Sequence, residues 1–195
     1  MSKISDLEQI KQSILFDLKC PLKDAATNLV FGKGNPDAPI LFIGEAPGEQ
    51  EDLQGIPFVG RAGKELDQLL RSINLSLDEC YVANILKYRP PQNRNPSMDE
   101  IRNHTPYLIE QIKIIKPKVV ATLGNFSTKF VLADFNPDKM KSVGGISTLH
   151  GKPIDKEIDA LKFKIVPLYH PAACLYRPGL RVDLQEDFKR IREVL

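Results

Sequence analysis

Three stretches of this sequence carry residue types and spacings suited to chemistry: GEAPGEQEDLQGIPFVGRAG at 44–63, NILKYRPPQNRNP at 84–96, and HPAA at 170–173. The first combines four carboxylates (Glu45, Glu49, Glu51, Asp52), five glycines, two prolines and a lone Phe58, far more than a turn needs. Glu45 directly follows the apolar run PILFI, where a carboxylate can orient a water or stabilise a positive charge. Gly44 and Gly48 let the backbone approach a ligand closely and expose amides to an oxygen or a phosphate. Phe58, set between Pro57 and Gly60, offers a fixed face on which a flat ring can stack. Asn84 is an amide inside an otherwise apolar run, and burying it unpartnered costs about 1–3 kcal/mol, so it either satisfies local backbone or faces a cleft. Its donor and acceptor together match the paired acceptor and donor on one edge of a pyrimidine. Lys87, Arg89 and Arg94 place three cations within eight residues, suited to phosphate contact. His170 is followed by Pro171 and two alanines and can donate to an oxygen that gains negative charge. Arg177 and Arg181 follow it, and they too are candidates for phosphate contact.

Each of these residues also has a plain reading. The glycines fit a tight turn, Phe58 fits the core, and Glu49 and Asp52 fit solvated carboxylates near a helix start. The cations fit a solvated loop and His170 a structural histidine. The elements that must position these residues favour convergence. Near-continuous apolar runs at 39–43, 80–86, 118–123 and 163–169 read as central strands covered on both faces. Helical spacing separates them: Leu66, Leu69, Leu70 and Ile73, then Ile101, Leu108, Ile112 and Ile115, then Phe126, Phe130 and Val131. Leu7, Ile10 and Ile14 mark a helix at the start of the chain, and Phe188, Ile191 and Leu195 one at its end. Ser97 and Asn125 read as helix caps. Helices alternating with strands imply a parallel sheet, because parallel strands need long crossovers. Residues 133–162 lose periodicity and read as a loop with short strands. Ligands of open α/β sheets bind beyond the carboxyl ends of strands, where all three chemical stretches fall.

The 195 residues suffice for a single domain spanning 1–195, with 42% hydrophobic content. No apolar window approaches membrane-spanning length and the N-terminus has no secretory pattern, so the expectation is a soluble, cytoplasmic protein. Three widely spaced cysteines, Cys20, Cys80 and Cys174, argue against a disulfide framework. A net charge of +2 does not by itself mark a nucleic-acid binder, so any phosphate attraction must be local. No G-x-x-x-x-G-K-[ST] loop supports a small-phosphate nucleotide module, which would also have no need for the phenylalanine, asparagine and histidine together.

In order along the chain, GEAPG with GIPFVGRAG, VANILKYRPPQNRNP and YHPAA resemble the uracil-DNA glycosylase superfamily, specifically its family 4, from about Cys20 to the last helix. The resemblance implies a three-layer α/β/α sandwich with a four-stranded parallel central sheet, and a monomeric enzyme that hydrolyses the N-glycosidic bond of deoxyuridine in DNA. By the same resemblance Glu45 and His170 are catalytic, the first setting the water and the cationic sugar, the second holding the oxygen at C2. Gly44, Ala46, Glu51, Phe58 and Asn84 form the uracil pocket: Phe58 stacks, Asn84 reads the polar edge and Glu51 closes the pocket against thymine's methyl group. Lys87, Arg89, Arg94 and Arg177 are the expected DNA contacts.

Family 4 members usually carry four cysteines for a 4Fe-4S cluster. Here those positions read Asp17, Cys20, Tyr88 and His104, so no cluster and no cofactor are expected. A zinc ion on Asp17, Cys20 and His104 is the minor alternative, since structural zinc favours Cys-rich sites. The rival to turnover is a non-catalytic or covalently trapping uracil binder. The trapping branch has Gln at the GEAPG glutamate and a basic KRRIH-like stretch; this chain has Glu45 and, nearby, only His150.

Overall fold

In a computed structural model, described for residues 2–195, nine α-helices and six strands alternate along the chain. In order they are α1 (Lys3–Asp17), α2 (Pro21–Ala25), β1 (Lys33–Gly34), β2 (Ile40–Gly44), α3 (Glu49–Gln54), α4 (Arg61–Ser72), β3 (Cys80–Asn84), α5 (Met98–Ile115), β4 (Val119–Leu123), α6 (Asn125–Leu132), α7 (Ile146–Leu149), β5 (Ile154–Ile158), β6 (Leu161–Leu168), α8 (Ala173–Tyr176) and α9 (Leu180–Glu193). Short 3-10 turns add Leu77–Glu79, Pro91–Asn93 and Pro137–Ser142.

The strands form one sheet in the order β1-β3-β2-β4-β6-β5. β2 pairs in parallel with β3 and with β4, and β4 in parallel with β6, while β1 and β5 join the edges antiparallel. The sheet is therefore mixed and six-stranded where four parallel strands were expected. The two additional strands left little trace in the sequence. β1 is two residues long, and β5 (IDKEI) alternates half-buried with exposed positions as an edge strand does.

β2, β3 and β4 read as unbroken apolar runs because both faces are covered. Leu41, Ile43, Tyr81, Ala83 and Val120 point into one core with α1 and α5, through Ile14, Ile101, Leu108 and Ile112. Ile40, Phe42, Cys80, Val82 and Ala121 point into the other with α4 and α9, through Leu66, Leu70, Phe188 and Ile191. No helix among the described residues is long and apolar enough to cross a membrane. Residues 133–162 hold two short helical turns, the strand β5 and the first two residues of β6, so the loop with short strands expected there also carries helix. Gly124, not Asn125, occupies the cap of α6; Asn125 lies inside the helix and its Oδ1 accepts from the Ile146 amide at 3.0 Å.

Ser97 caps α5 as its sequence suggests, with Glu100 closing a reciprocal box: Ser97 N donates to Glu100 Oε2 at 2.8 Å and Glu100 N to Ser97 Oγ at 3.2 Å. Arg94 grips the same carboxylate with Nη1 at 2.8 Å and Nη2 at 2.5 Å, so the loop before α5 is fastened to the helix start. The Arg94 guanidinium, helped by Ser97, holds the Glu100 carboxyl at about 2, below its ordinary 4.5. A depressed carboxyl pKa contributes stability that is complete above about pH 4.5 and is lost as pH falls toward 2. Melting temperatures between pH 2 and 6 should fall less steeply with acid in Arg94→Met than in the parent; parallel curves would show that the clamp adds nothing.

Candidate active site

β2 and β3 end side by side, with Gly44 opposite Asn84. Their ladder runs on past the strands, since Ile85 N donates to Gly44 O and Leu86 N to Glu45 O, both at 3.0 Å. The backbone of Glu45 is thereby fixed at the sheet's edge. A Cβ at Gly44 would lie 2.2 Å from Asn84 Oδ1 and 2.9 Å from the Phe58 ring, so no other residue fits without displacing both.

Phe58 is buried and takes a left-handed backbone, φ 53°, a costly conformation for a bulky side chain. Several contacts impose it. Glu51 Oε1 accepts from Val59 N (3.0 Å) and Gly60 N (2.8 Å), and Lys33 Nζ reaches Phe58 O at 3.4 Å. The Glu51 carboxylate fits because its neighbours are glycines: a Cβ at Gly48 would stand 2.8 Å from Oε2, and one at Gly60 3.1 Å from Oε1. On α4, a Cβ at Gly63 would come within 2.0 Å of Phe58 O. Asp52, read as a solvated carboxylate, is instead buried and accepts from Thr27 N (2.9 Å) and Asn28 N (3.2 Å), tying α3 to the chain before β1.

These elements enclose a cavity of about 360 Å³ walled by Phe58, Asn84, Glu51, His170, Ala46 and Asn93. The Phe58 and His170 rings lie 6.4 Å apart, tilted by 30°. Asn84 Oδ1 is buried without a partner, an orphan acceptor in the wall. A donor N–H on a ligand would remove the penalty of about 1–3 kcal/mol that such an atom carries. Burial lowers the His170 pKa, so the ring is neutral at pH 7. Ala172 N donates to His170 Nδ1 at 3.2 Å, which assigns the proton to Nε2 and makes that nitrogen the donor. Glu45 lines an adjoining recess that shares His170, Asn93, Ala46 and Gly48 with the cavity. Desolvation raises its pKa, making it a stronger base than a surface carboxylate. A flat ring in the cavity would thus have an acceptor on one edge, an imidazole N–H at hand and a basic carboxylate close by.

The expected DNA contacts divide. Lys87 is fully buried and cannot meet a phosphate: its Nζ donates to Asn84 O (2.8 Å) and Gln111 Oε1 (2.6 Å). The strand ends so deeply in the core that this cation lies below the surface the sequence placed it on. Arg89 is half-buried, and its Nε donates to Asn93 Oδ1 at 2.8 Å. Arg94 keeps an exposed edge while holding Glu100, and Arg177 is exposed. Arg181 reaches Glu65 at 2.9 Å, an ion pair without hydrogen-bond alignment, and hydrogen-bonds Gln68 at 2.6 Å. The loop from 87 to 96 is not extended: Gln92 and Asn93 are both left-handed and turn it toward the cavity. Asn93, absent from the expected set, had a faint signal in its tolerance for that conformation. Lys33 had none.

Cys20 and Tyr88 are buried and His104 is fully buried, whereas Asp17 is exposed. The His104 ring meets Tyr88 edge-on at 6.3 Å and donates through Nδ1 to Glu100 O at 2.7 Å. Burial holds His104 at about 4 and raises the Cys20 thiol and the Tyr88 phenol, so all three are neutral. Among the described residues no group of three or more His, Cys, Asp and Glu side chains could hold a metal ion. His150 Nδ1 lies 2.8 Å from Asp187 Oδ2, its ring 4.6 Å from that of Tyr169, and it lines neither the cavity nor the recess.

The chain matches the Uracil DNA glycosylase superfamily over residues 31–195. It is 44% identical to a Type-4 uracil-DNA glycosylase of Sulfurisphaera tokodaii over 192 residues, 98% of this chain and 86% of that one. It is also 42% identical to one of Archaeoglobus fulgidus, covering 98% of this chain and 94% of that one, and 43% identical to one of Saccharolobus solfataricus, covering 98% and 88%.

Because Gly63 leaves no room beside the Phe58 carbonyl, Gly63→Ala should destabilise the fold by about 1–3 kcal/mol, the cost of overpacking. Urea denaturation measures this directly, and an unchanged midpoint would mean the Phe58 turn yields freely.

Proposed function

The chain belongs to the uracil-DNA glycosylase superfamily, and from that premise we propose that it excises uracil from DNA as a base-excision repair enzyme, leaving an abasic site. The observation that carries the residue assignment is the unpartnered Asn84 Oδ1 in the wall of a cavity that also holds Phe58 and His170. Uracil offers N3–H beside O4, which pairs with the amide oxygen and NH2 of Asn84. The base must leave the helix stack to enter. Phe58 then stacks on it, and Glu51, pinned by the 59–60 amides, fills the space a thymine methyl would need. Gly44 and Ala46 keep the floor low enough for the ring.

In this reading the C1′–N1 bond breaks with its electron pair departing on uracil, and the negative charge spreads to O2 and O4. Neutral His170 donates Nε2–H to O2, stabilising the leaving anion without giving up its proton. Water then bonds to the cationic C1′ and loses its proton to Glu45, whose raised pKa suits that task. Arg177 and the exposed edges of Arg89 and Arg94 contact the DNA backbone.

The residues at the four family cysteine positions do not fit an iron-sulfur cluster. One thiol stands with a phenol, an imidazole whose Nδ1 donates to Glu100 O while its Nε2 is buried without a partner, and an exposed carboxylate, a set with one thiolate donor where a cluster takes four. We read the Cys20, Tyr88 and His104 packing as replacing it and derive no step through iron. Covalent trapping by His150 is disfavoured by its engagement with Asp187. The reading carries with it a single-domain monomer acting on DNA in the cytoplasm.

Purified protein incubated with a labelled uracil-containing strand, followed by alkali, should give cleavage at uracil. Glu45→Ala and His170→Ala should each slow it by roughly a hundredfold or more, and Asn84→Ala should do likewise. Iron analysis of the same active preparation should find none. Folded protein that leaves uracil in place, or that stays attached to the DNA, would overturn turnover in favour of binding or trapping.

A further inference from the structure

Lys87 is not used by the chemistry above, yet it is a fully buried lysine within reach of the residue that reads the base. Its Nζ has three oxygen neighbours: Gln111 Oε1 at 2.6 Å, Asn84 O at 2.8 Å and Phe31 O at 3.4 Å. Gln111 Nε2 donates to Phe31 O at 3.1 Å, and the lysine's own carbonyl accepts from Val30 N at 2.8 Å. Three acceptors call for three N–H donors, which an ammonium supplies and a neutral amine does not. No carboxylate is among these partners. An apolar side chain of similar length would fill the same volume without the cost of burying a cation. The contact with Asn84 gives the lysine a reason to be there.

The peptide joining Asn84 to Ile85 is held at both ends. Its carbonyl accepts from Lys87 Nζ at 2.8 Å, and its N–H donates to Gly44 O at 3.0 Å. With that plane held, the backbone at Asn84 has little freedom to rotate, and the point and direction from which its side chain enters the cavity are restrained. We propose that Lys87 is a positioning residue for base recognition, pinning the Asn84–Ile85 peptide so that the Asn84 amide meets the polar edge of uracil. The inference rests on the reading of Asn84 as the base-recognising residue. Lys87 itself touches no substrate.

Burial pulls the lysine's pKa down to about 7, so the ammonium is held at some cost near neutral pH. The titratable groups around it do not change charge between pH 6 and 9: His104 lies at about 4, and Tyr81, hydrogen-bonded to Gln111, at about 12.

A double-mutant cycle tests the proposal through single-turnover excision rates on a uracil-containing oligonucleotide at saturating enzyme, with a thermal melt of every variant. Lys87→Met should fold and lose roughly ten- to a hundredfold in rate, as misplaced recognition groups do. On an Asn84→Ala background the same change should cost less than about twofold, because the group it positions is gone. Lys87→Gln, which keeps a donor for the Asn84 carbonyl, should recover much of the loss, and Lys87→Leu carries the cycle if the methionine variant does not fold. Equal losses on both backgrounds, or no loss at all, would overturn the positioning role while leaving Asn84 as the reader. An Asn84→Ala variant as fast as the parent would remove the underlying reading, and the inference with it.

Discussion

The close approach of Gly44 and Asn84 across the ends of β2 and β3 is the constraint on which the rest of the site depends. A parallel pair brings residues of two distant segments opposite each other, and here the absence of a Cβ on one side makes room for an amide on the other. Phe58 packs onto the same glycine, so one missing methyl group sets the positions of two walls. The turn that delivers Phe58 is in turn secured by Glu51 and Gly63 on the flanking helices and by Lys33 on the edge strand β1. The framework of two cores and a twisted sheet supplies rigidity; the glycines decide where a ligand can come close.

Charge in this protein is spent mostly on architecture. Of the cations beside the cavity, Lys87 faces inward, Arg89 steadies Asn93, and Arg94 closes the start of α5. Acidic groups behave alike, with Asp52 accepting two amides and Glu51 two more. With a net charge of only +2, the chain carries no large excess of cations from which a broad basic field could come.

The central strands and the flanking helices were legible because burial on both faces leaves a run of apolar residues with no polar interruption, and helical spacing marks the layers around it. The edge strands were not: Lys33–Gly34 is too short to show a period, and IDKEI alternates too weakly to stand out from a loop. Phe58, Asn84 and His170 could be picked out because each is out of character with its surroundings, and the structure brings them to one cavity. Lys87 misled because sequence carries no measure of depth; a lysine two residues before an arginine in a proline-rich loop looks like surface. Glu45 was read as a catalytic carboxylate apart from the residues that form the pocket, and it lines the recess adjoining the cavity. Asp52 could not be told from its neighbours in EQED, since its two amide donors come from a segment that precedes β2.

Phe58 and Asn93, two residues of the cavity wall, stand in left-handed backbone conformations, each costing on the order of 1–2 kcal/mol relative to an ordinary turn residue. The same conformation recurs away from the cavity, at Asn74, Lys116 and Asp134 among others, so the framework absorbs such strain in several places. Glycine at position 93 would accept the conformation freely, whereas at 58 it would also forfeit a buried ring, a loss of about 3–5 kcal/mol that outweighs the relief. A glycine at 93 would add durability while the cavity lost part of its wall. Durability and the shape of the cavity therefore pull apart at Asn93 and go together at Phe58.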